Sequence, residues 1–225
     1  MATLVLELAC LRLLPGIEVS SQDLIGNLKK ANETMEAASK TGLAFHFFSC
    51  IEDSSLIFLL GAWQSVKQHM EEFIPSDANQ NLLQLVKNLL SVEWMFHVDL
   101  VDPGFARYHE LLQQPVAVFD RRVFKLTDDE LHNSDKAQKA IEYHMKTHIA
   151  EKERHMCGWR EDWNAEERIS ELMDEYVVIS GWKTMEQYQK DLNLEHTRYG
   201  VRWLDYVSRL EARAAVLIKL EDVTT

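Results

Sequence analysis

The chain repeats itself, and that repeat constrains its fold more than any other feature. Gly61-Ala62-Trp63 leads into Gln64-Ser65-Val66-Lys67-Gln68-His69-Met70-Glu71-Glu72-Phe73, and Ser180-Gly181-Trp182 leads into Lys183-Thr184-Met185-Glu186-Gln187-Tyr188-Gln189-Lys190-Asp191-Leu192. An apolar run of strand length precedes each copy, Leu56 to Leu60 and Tyr176 to Ile179. Ser65 and Thr184 stand two residues past the Trp, where a helix N-cap belongs. An amphipathic stretch then closes the unit. Strand, Trp corner, cap and helix recurring in that order describe two copies of one small α+β module.

Length and charge agree with two modules. The chain has 225 residues, and 24 Lys and Arg against 36 Asp and Glu leave a net charge of −12. Two domains of about 100 residues fit that length. An acidic surface with no basic cluster disfavours nucleic acid and anionic membrane as partners. The three cysteines, Cys10, Cys50 and Cys157, are far apart, so no disulfide framework is expected. Met1 to Leu14 is apolar but interrupted by Glu7 and Arg12, and reads as a first strand rather than a signal peptide. These features predict a cytoplasmic protein without a membrane span.

The pattern along the first half spells β-α-β-β-α-β, the ferredoxin-like order. Thr3 to Leu14 is a strand ending at Pro15-Gly16. Ser20 to Asp23 offers caps for a helix carrying Leu24 or Ile25, Leu28, Ala31 or Asn32, Met35 and Ala38 at helical spacing, closed by Gly42. Leu43–Ile51 and Leu56–Trp63 form a hairpin around Glu52 to Ser55. Val66–Ile74 is helical, Pro75-Ser76-Asp77 breaks it and caps a second helix reaching Leu90, and Val92–Val101 closes the module.

The order then recurs with more divergence. Phe105–Gln114 reads as a helical linker, Pro115–Leu126 as a strand and Asp135–His155 as a long helix. Met156–Trp163 is a weak strand, followed by Tyr176–Trp182, a short helix over Met185–Leu192, and a strand within Val201–Ile218. The predicted division is 1–102 for the first module, 103–114 for the linker and 115–225 for the second module. A four-stranded sheet with both helices on one face leaves its other face to be covered. Two such sheets face to face solve this, giving an α+β fold of tandem ferredoxin-like modules in an intramolecular dimeric-α/β-barrel arrangement.

The stretch from Gly61 to Leu90, with Trp63, Ser65, Ser76 and the Leu-rich run Leu82 to Leu90, resembles the antibiotic-biosynthesis-monooxygenase-like family of the dimeric α/β barrel superfamily. The second copy is similar over Ser180 to Leu192 only. The tandem arrangement is similar to fungal natural-product pathway members. The resemblance implies a cavity between sheet and helices, and chemistry ranging over cofactor-free oxygenation of aromatic polyketides, haem degradation, cyclisation, dehydration and isomerisation. In the haem-degrading branch a His ligand follows the second-helix break. This chain has Ala78-Asn79 there, with no His.

Candidate site residues each carry a structural alternative. Trp63 and Trp182 are candidate cavity walls against a flat aromatic ligand, or corner-closing residues common to both copies. His46 and His97 sit in apolar strands, where a histidine needs a partner. Either is a candidate catalytic base, with Asp99 two positions from His97 to orient it; the alternative is a satisfied core histidine. Phe48, Tyr143 and His144 are candidate substrate contacts. His144, His148, Glu151 and His155 fall on one helical stripe if the long helix runs through them. His155 would then stand roughly 16 Å from His144, too far for one shared metal. Arg160, Asp162 and Trp163 mark either a polar pocket mouth or a charged edge strand.

No nucleotide-binding or paired-cysteine metal motif occurs. The family resemblance implies an enzyme that works without a bound metal or cofactor. It acts on a hydrophobic, aromatic or polyketide-like metabolite by base-assisted oxygenation, cyclisation or dehydration, as a monomer or homodimer. The alternatives are a non-catalytic binding barrel, and a haem enzyme with His69, His144 or His148 as axial ligand.

Overall fold

The computed structural model describes residues 4–100, 104–125, 155–161, 173–190, 207–218 and 220. The fold is α+β, of the dimeric α/β-barrel type. The chain divides into two compact units, one comprising Met1–Asp99 with Ala215–Thr225, the other Leu100–Ala214.

In the first unit β1 (Val5–Leu13) is followed by α1 (Gln22–Ser39), β2 (His46–Cys50) and β3 (Leu56–Trp63). A π-helical segment (Gln68–Phe73), α2 (Asp77–Val86) and β4 (Leu90–Leu100) complete it. β1 lies between β3 and β4, and β2 pairs with the outer side of β3, all antiparallel. The C-terminal end of β8 (Val207–Leu217) adds Ala215 to Leu217 against Cys50 to Phe48.

The caps explain where the helices start. Ser21 accepts from the Leu24 N–H, Ser65 from Gln68 and Ser76 from Asn79, at 3.4, 3.1 and 3.2 Å. Each such cap contributes about 1 kcal/mol. The left-handed residue ending α1 is Lys40 (φ 54°), not the expected Gly42; its N–H reaches Glu36 O. The second helix stops at Val86 rather than Leu90, because Leu90 is already paired with Leu13 in the sheet.

Side chains alternate across the strands, which sorts them onto two faces. One face packs Val5, Ala9, Leu11, Phe45, Phe47, Ile57, Leu59 and Trp63 against Leu24, Leu28, Ala31 and Met35 of α1 and Phe73 and Val86 beyond it. Burial of this face is the main stabilising term in the unit. The opposite phase holds Leu6, Leu8, Phe58, Leu60 and Phe96, also buried.

The second unit contains a 3-10 turn (Gly104–Arg107), α3 (Tyr108–Leu112), β5 (Val116–Lys125), β6 (His155–Arg160) and β7 (Met173–Trp182), then a helical segment at 185–190. β7 lies between β5 and β6, and β8 flanks β5. Thr184 caps the segment at 185–190 by accepting from Gln187 N–H. The predicted long helix lies outside the described residues except at its end, where the expectation fails. His155 opens strand β6, opposite Ser180, so it does not continue a helical stripe. Arg160 is no exposed edge charge either. Its side chain is 7% exposed and pairs with buried Glu175, which Arg121 also holds. Asp162 and Trp163 lie outside the described residues.

Candidate active site

Glu7 anchors a polar cluster that the first unit builds between sheet and helices. On β1 it stands between His97 of β4 and Gly61 of β3, all three facing the helices. Gly61 is required here by space. A Cβ on it would lie 1.9 Å from Phe45 Cδ1, so the Phe45 ring occupies the room the missing side chain leaves. Phe45 in turn meets Trp63 edge-on at 5.4 Å.

The π-helical segment brings in the fourth member. Its widened turn, closed by Ile74 N–H on His69 O at 2.9 Å, sets both His69 and Phe73 inward. Gln68 ties the segment down by donating to Ala38 O and Ser39 O at the end of α1. The His69 ring lies flat on Trp63, with centroids 4.3 Å apart and planes 7° from parallel.

Three contacts join these groups. The Trp63 indole N–H donates to Glu7 Oε2 at 2.6 Å. His69 Nδ1 and His97 Nε2 share a hydrogen bond of 2.7 Å. His69 Nε2 lies 3.9 Å from the same Glu7 oxygen. The exposures of Glu7, Trp63, His69 and His97 are 4, 0, 2 and 0%. At such burial a carboxylate and two imidazoles persist only as mutual partners. Chemically the cluster is a short path for a proton: two imidazoles in series beside a carboxylate.

The expected site residues divide between places. His97 and Trp63 are in the cluster. His46 and Phe48 lie on the opposite face of the same sheet, opposite Leu60 and Phe58 on β3. Asp99 is exposed at the end of β4, while His69 and Glu7 are the groups set beside His97. Trp182 is partly buried in the second unit, where its N–H donates to Ser180 Oγ at 2.8 Å. Tyr143, His144, His148 and Glu151 lie outside the described residues. Asn79 of the second-helix break is buried, and its amide donates to Ile74 O at 2.8 Å. Sequence reasoning missed Glu7 as a site residue and weighed His69 only as a haem ligand. The available signal for Glu7 was its phase: it shares the inward alternation of Val5, Ala9 and Leu11.

His69 does not fit a haem iron. One ring nitrogen is bonded to His97, the other faces Glu7, and one ring face is covered by Trp63. Among the described residues no three His, Cys, Asp or Glu side chains are grouped to hold a metal ion. No helix among them is long and apolar enough to cross a membrane.

Comparison with solved structures shows the fold. A Fusobacterium nucleatum protein assigned as a monooxygenase superposes with a TM-score of 0.62 at 8% identity, covering 97% of this chain and 94% of that one. An anthrone oxidase-like protein gives 0.56 at 12% identity over 96% and 92%. A heme-binding protein from Thermus thermophilus gives 0.56 at 9% over 96% and 91%. No family model and no curated protein matches the chain.

Proposed function

We propose that this protein is a cofactor-independent enzyme of the antibiotic-biosynthesis-monooxygenase-like kind, acting on a hydrophobic aromatic, polyketide-like metabolite by base-assisted oxygenation. The reading is carried by the 2.7 Å His69–His97 bond, buried beside Glu7 in the first unit. Its fold, shared with monooxygenase-assigned and anthrone oxidase-like proteins, supports it.

The chemistry asks little of the protein. An imidazole removes a proton from an activated CH2 of an anthrone-like substrate and becomes imidazolium. The resulting carbanion passes one electron to dioxygen, and the radical and superoxide combine to a peroxide anion. The imidazolium returns its proton, and the hydroperoxide loses water to leave a carbonyl. One oxygen atom ends in the product and one in water, with the substrate as the only reductant. A dry site and a positioned base suffice. The same deprotonated substrate could instead cyclise or dehydrate.

In this proposal His97 and His69 form the base pair and Trp63 holds His69 in place. His46 and Phe48 contribute only to a site on the other face of the sheet. The test is dioxygen consumption with anthrone, measured above the uncatalysed rate. His97→Gln and His69→Gln, checked for fold by circular dichroism, are expected to lower the protein-dependent rate about 100-fold or more. Protein-independent consumption, or folded variants with full activity, would sink the proposal.

A second reading has its own observation. All four cluster residues are at most 4% exposed, and Trp63 is packed by Phe45, Phe73 and His69 from this chain. That is what a non-catalytic binding barrel would show, and in it the same variants would lose stability with no turnover to lose. The haem reading rests on His144 and His148, and haemin titration tests it by a Soret band lost in His144→Ala or His148→Ala.

A further inference from the structure

We infer that Gln68 is a positioning residue: its carboxamide clamps the π-helical segment to the end of α1 and so holds His69 in place for its bond to His97. This rests on the base role proposed above and adds to it what keeps the pair assembled.

His69 needs a fixed frame because its contact with His97 is short. The 2.7 Å bond is lost if the ring withdraws by about 1 Å. The segment cannot supply that frame alone. It is 6 residues long, with the widened spacing closed by Ile74 N–H on His69 O at 2.9 Å, and one short helical run is marginal by itself. Its far end is tied to the start of α2. Ser76 Oγ donates to Phe73 O at 2.6 Å, and the Asn79 amide to Ile74 O at 2.8 Å. The near end, which carries His69, is tied to α1 through Gln68.

The last carbonyls of a helix have no partners within it. At the end of α1, three in succession accept from the segment's approach. Gln68 Nε2 donates to Ala38 O at 3.1 Å and to Ser39 O at 3.2 Å, and Gln64 Nε2 reaches Lys40 O at 3.4 Å. On its other side Gln68 Oε1 accepts from Gln64 N–H at 2.9 Å, and the Gln68 N–H donates to Ser65 Oγ at 3.1 Å. Two amide hydrogens meet two carbonyls and the amide oxygen meets an N–H, so the group fits in one orientation. Reversed, its oxygen would face two carbonyls. The site therefore asks for a carboxamide. A glutamate would set a negative charge against carbonyl oxygens at the negative end of the α1 dipole, and a methionine would fill the space without a donor. His69 follows Gln68 directly in the chain. Fixing Gln68 by side chain and backbone thus fixes the point from which the His69 side chain starts, and a base misplaced by an ångström loses rate.

The experiment reads the clamp and its consequence separately. In wild-type protein, proton–nitrogen NMR is expected to show the Gln68 side-chain amide protons exchanging with water about 10-fold or more slowly than those of exposed Gln64. Stacking on Trp63 sets the carbon-bound protons of the His69 ring over the indole face, whose ring current moves them upfield; His69→Gln assigns them. In Gln68→Met and Gln68→Glu, shown folded by circular dichroism, these signals are expected to return toward ordinary histidine positions, and in Gln64→Ala to stay. With anthrone, Gln68→Met is expected to lower kcat about 10- to 100-fold and to leave KM within about threefold. Equal exchange of the Gln68 and Gln64 amides overturns the inference. So do His69 signals unchanged in folded Gln68→Met, or moved as far in Gln64→Ala. If neither Gln68 variant folds, the wild-type exchange decides alone. Absent oxygen consumption in wild type, with His69 displaced in Gln68→Met, would sink the proposed reaction but leave the clamp standing. Full kcat in a Gln68→Met protein whose His69 has moved would sink the base role of His69 and still support the clamp.

Discussion

The two tryptophan corners meet the same demand with different residues. Val5 opposes Trp63 and Val116 opposes Trp182, so the registers align without a gap. Glu7 then corresponds to Val118, and Gly61 to Ser180. On the neighbouring strand, Phe45 precedes the His46–Leu60 pair and so stands beside Gly61, while His155 opposes Ser180. Six residues past each Trp stand His69, stacked on Trp63, and Tyr188, 5.6 Å from Trp182. A buried indole N–H has to be satisfied. In the first unit a carboxylate on β1 does so, and in the second a hydroxyl on the tryptophan's own strand. What both copies keep is the corner; what differs is where the polar groups sit. Among the described residues only the first corner gathers a carboxylate and a bonded imidazole pair, and that is why the proposed chemistry is placed there.

The largest expected effect tests whether the corners carry equal weight. Trp63 is fully buried, whereas Trp182 is only partly so. Trp63→Ala should cost about 3–5 kcal/mol, and Trp182→Ala roughly half that, in proportion to the smaller apolar area withdrawn from water. Urea midpoints at constant slope measure both. Equal losses would break the distinction between a packed corner and a looser one.

A smaller effect asks whether the first corner can be rewritten as the second. Gly61→Ser alone puts a Cβ where the Phe45 ring lies and should cost about 1–3 kcal/mol through overpacking. Phe45→His alone trades a packed ring for a buried polar one, at a cost of about 1–3 kcal/mol. Together they recreate the His155–Ser180 pair, so the double variant should be less destabilised than the sum by about 0.5–3 kcal/mol. Strict additivity would mean that the resemblance of the two corners is only one of register.

Much of this was legible in the sequence, for reasons that also mark where it stopped. Strand β3 was read to the residue, because Ser55 and Trp63 bracket an unbroken apolar run. Ser65 and Thr184 were read as caps, and Ser21 and Ser76 fall within the runs Ser20–Asp23 and Pro75–Asp77 read as capping, because cap chemistry is local. His155 was misplaced because the charged residues before it, Glu151 to Arg154, continue a helical pattern. Its strand identity comes from pairing with Ser180, a partner 25 residues away. The cluster as a whole was not legible for the same reason. Glu7, Trp63, His69 and His97 span 90 residues and are joined by cross-strand register and one π-helical turn, neither of which leaves a periodicity. Asp99 looked like the orienting acid by spacing along one strand, whereas the carboxylate set beside His97 comes from the next strand.

Alkaline pH should separate the units again. Burial pushes the Cys157 thiol up, and burial pushes the Tyr176 phenol far up, with Cys157 beside it adding to the shift. Both are held neutral in the folded second unit. The folded state therefore binds more protons than the unfolded chain, and stability falls as pH rises. The loss begins near about pH 8.5, where an unfolded thiol ionises, and steepens near about pH 10, where an unfolded phenol does. In the first unit burial also raises Cys50, so it shares the first step only. Tyr176→Phe should remove the steeper step from the pH dependence of the urea midpoint. A step that survives this substitution would assign it elsewhere.

The smallest effect lies at the acid end and belongs to the first unit. Asp53, in the turn between β2 and β3, accepts from the Ser55 hydroxyl at 2.6 Å and its N–H at 3.0 Å. These bonds, more than Arg12 nearby, hold its carboxyl below the ordinary range. A lowered pKa contributes stability that is present above the unfolded value, about 3.9, and lost as pH falls through the folded one. The site is open to solvent, so the contribution is slight. Ser55→Ala removes the hydroxyl but not the backbone donor, and should move the Asp53 titration only part of the way back, as read from its side-chain carbon shift. A full return would mean that the hairpin turn is set by the hydroxyl alone, and no return would mean that the backbone N–H suffices.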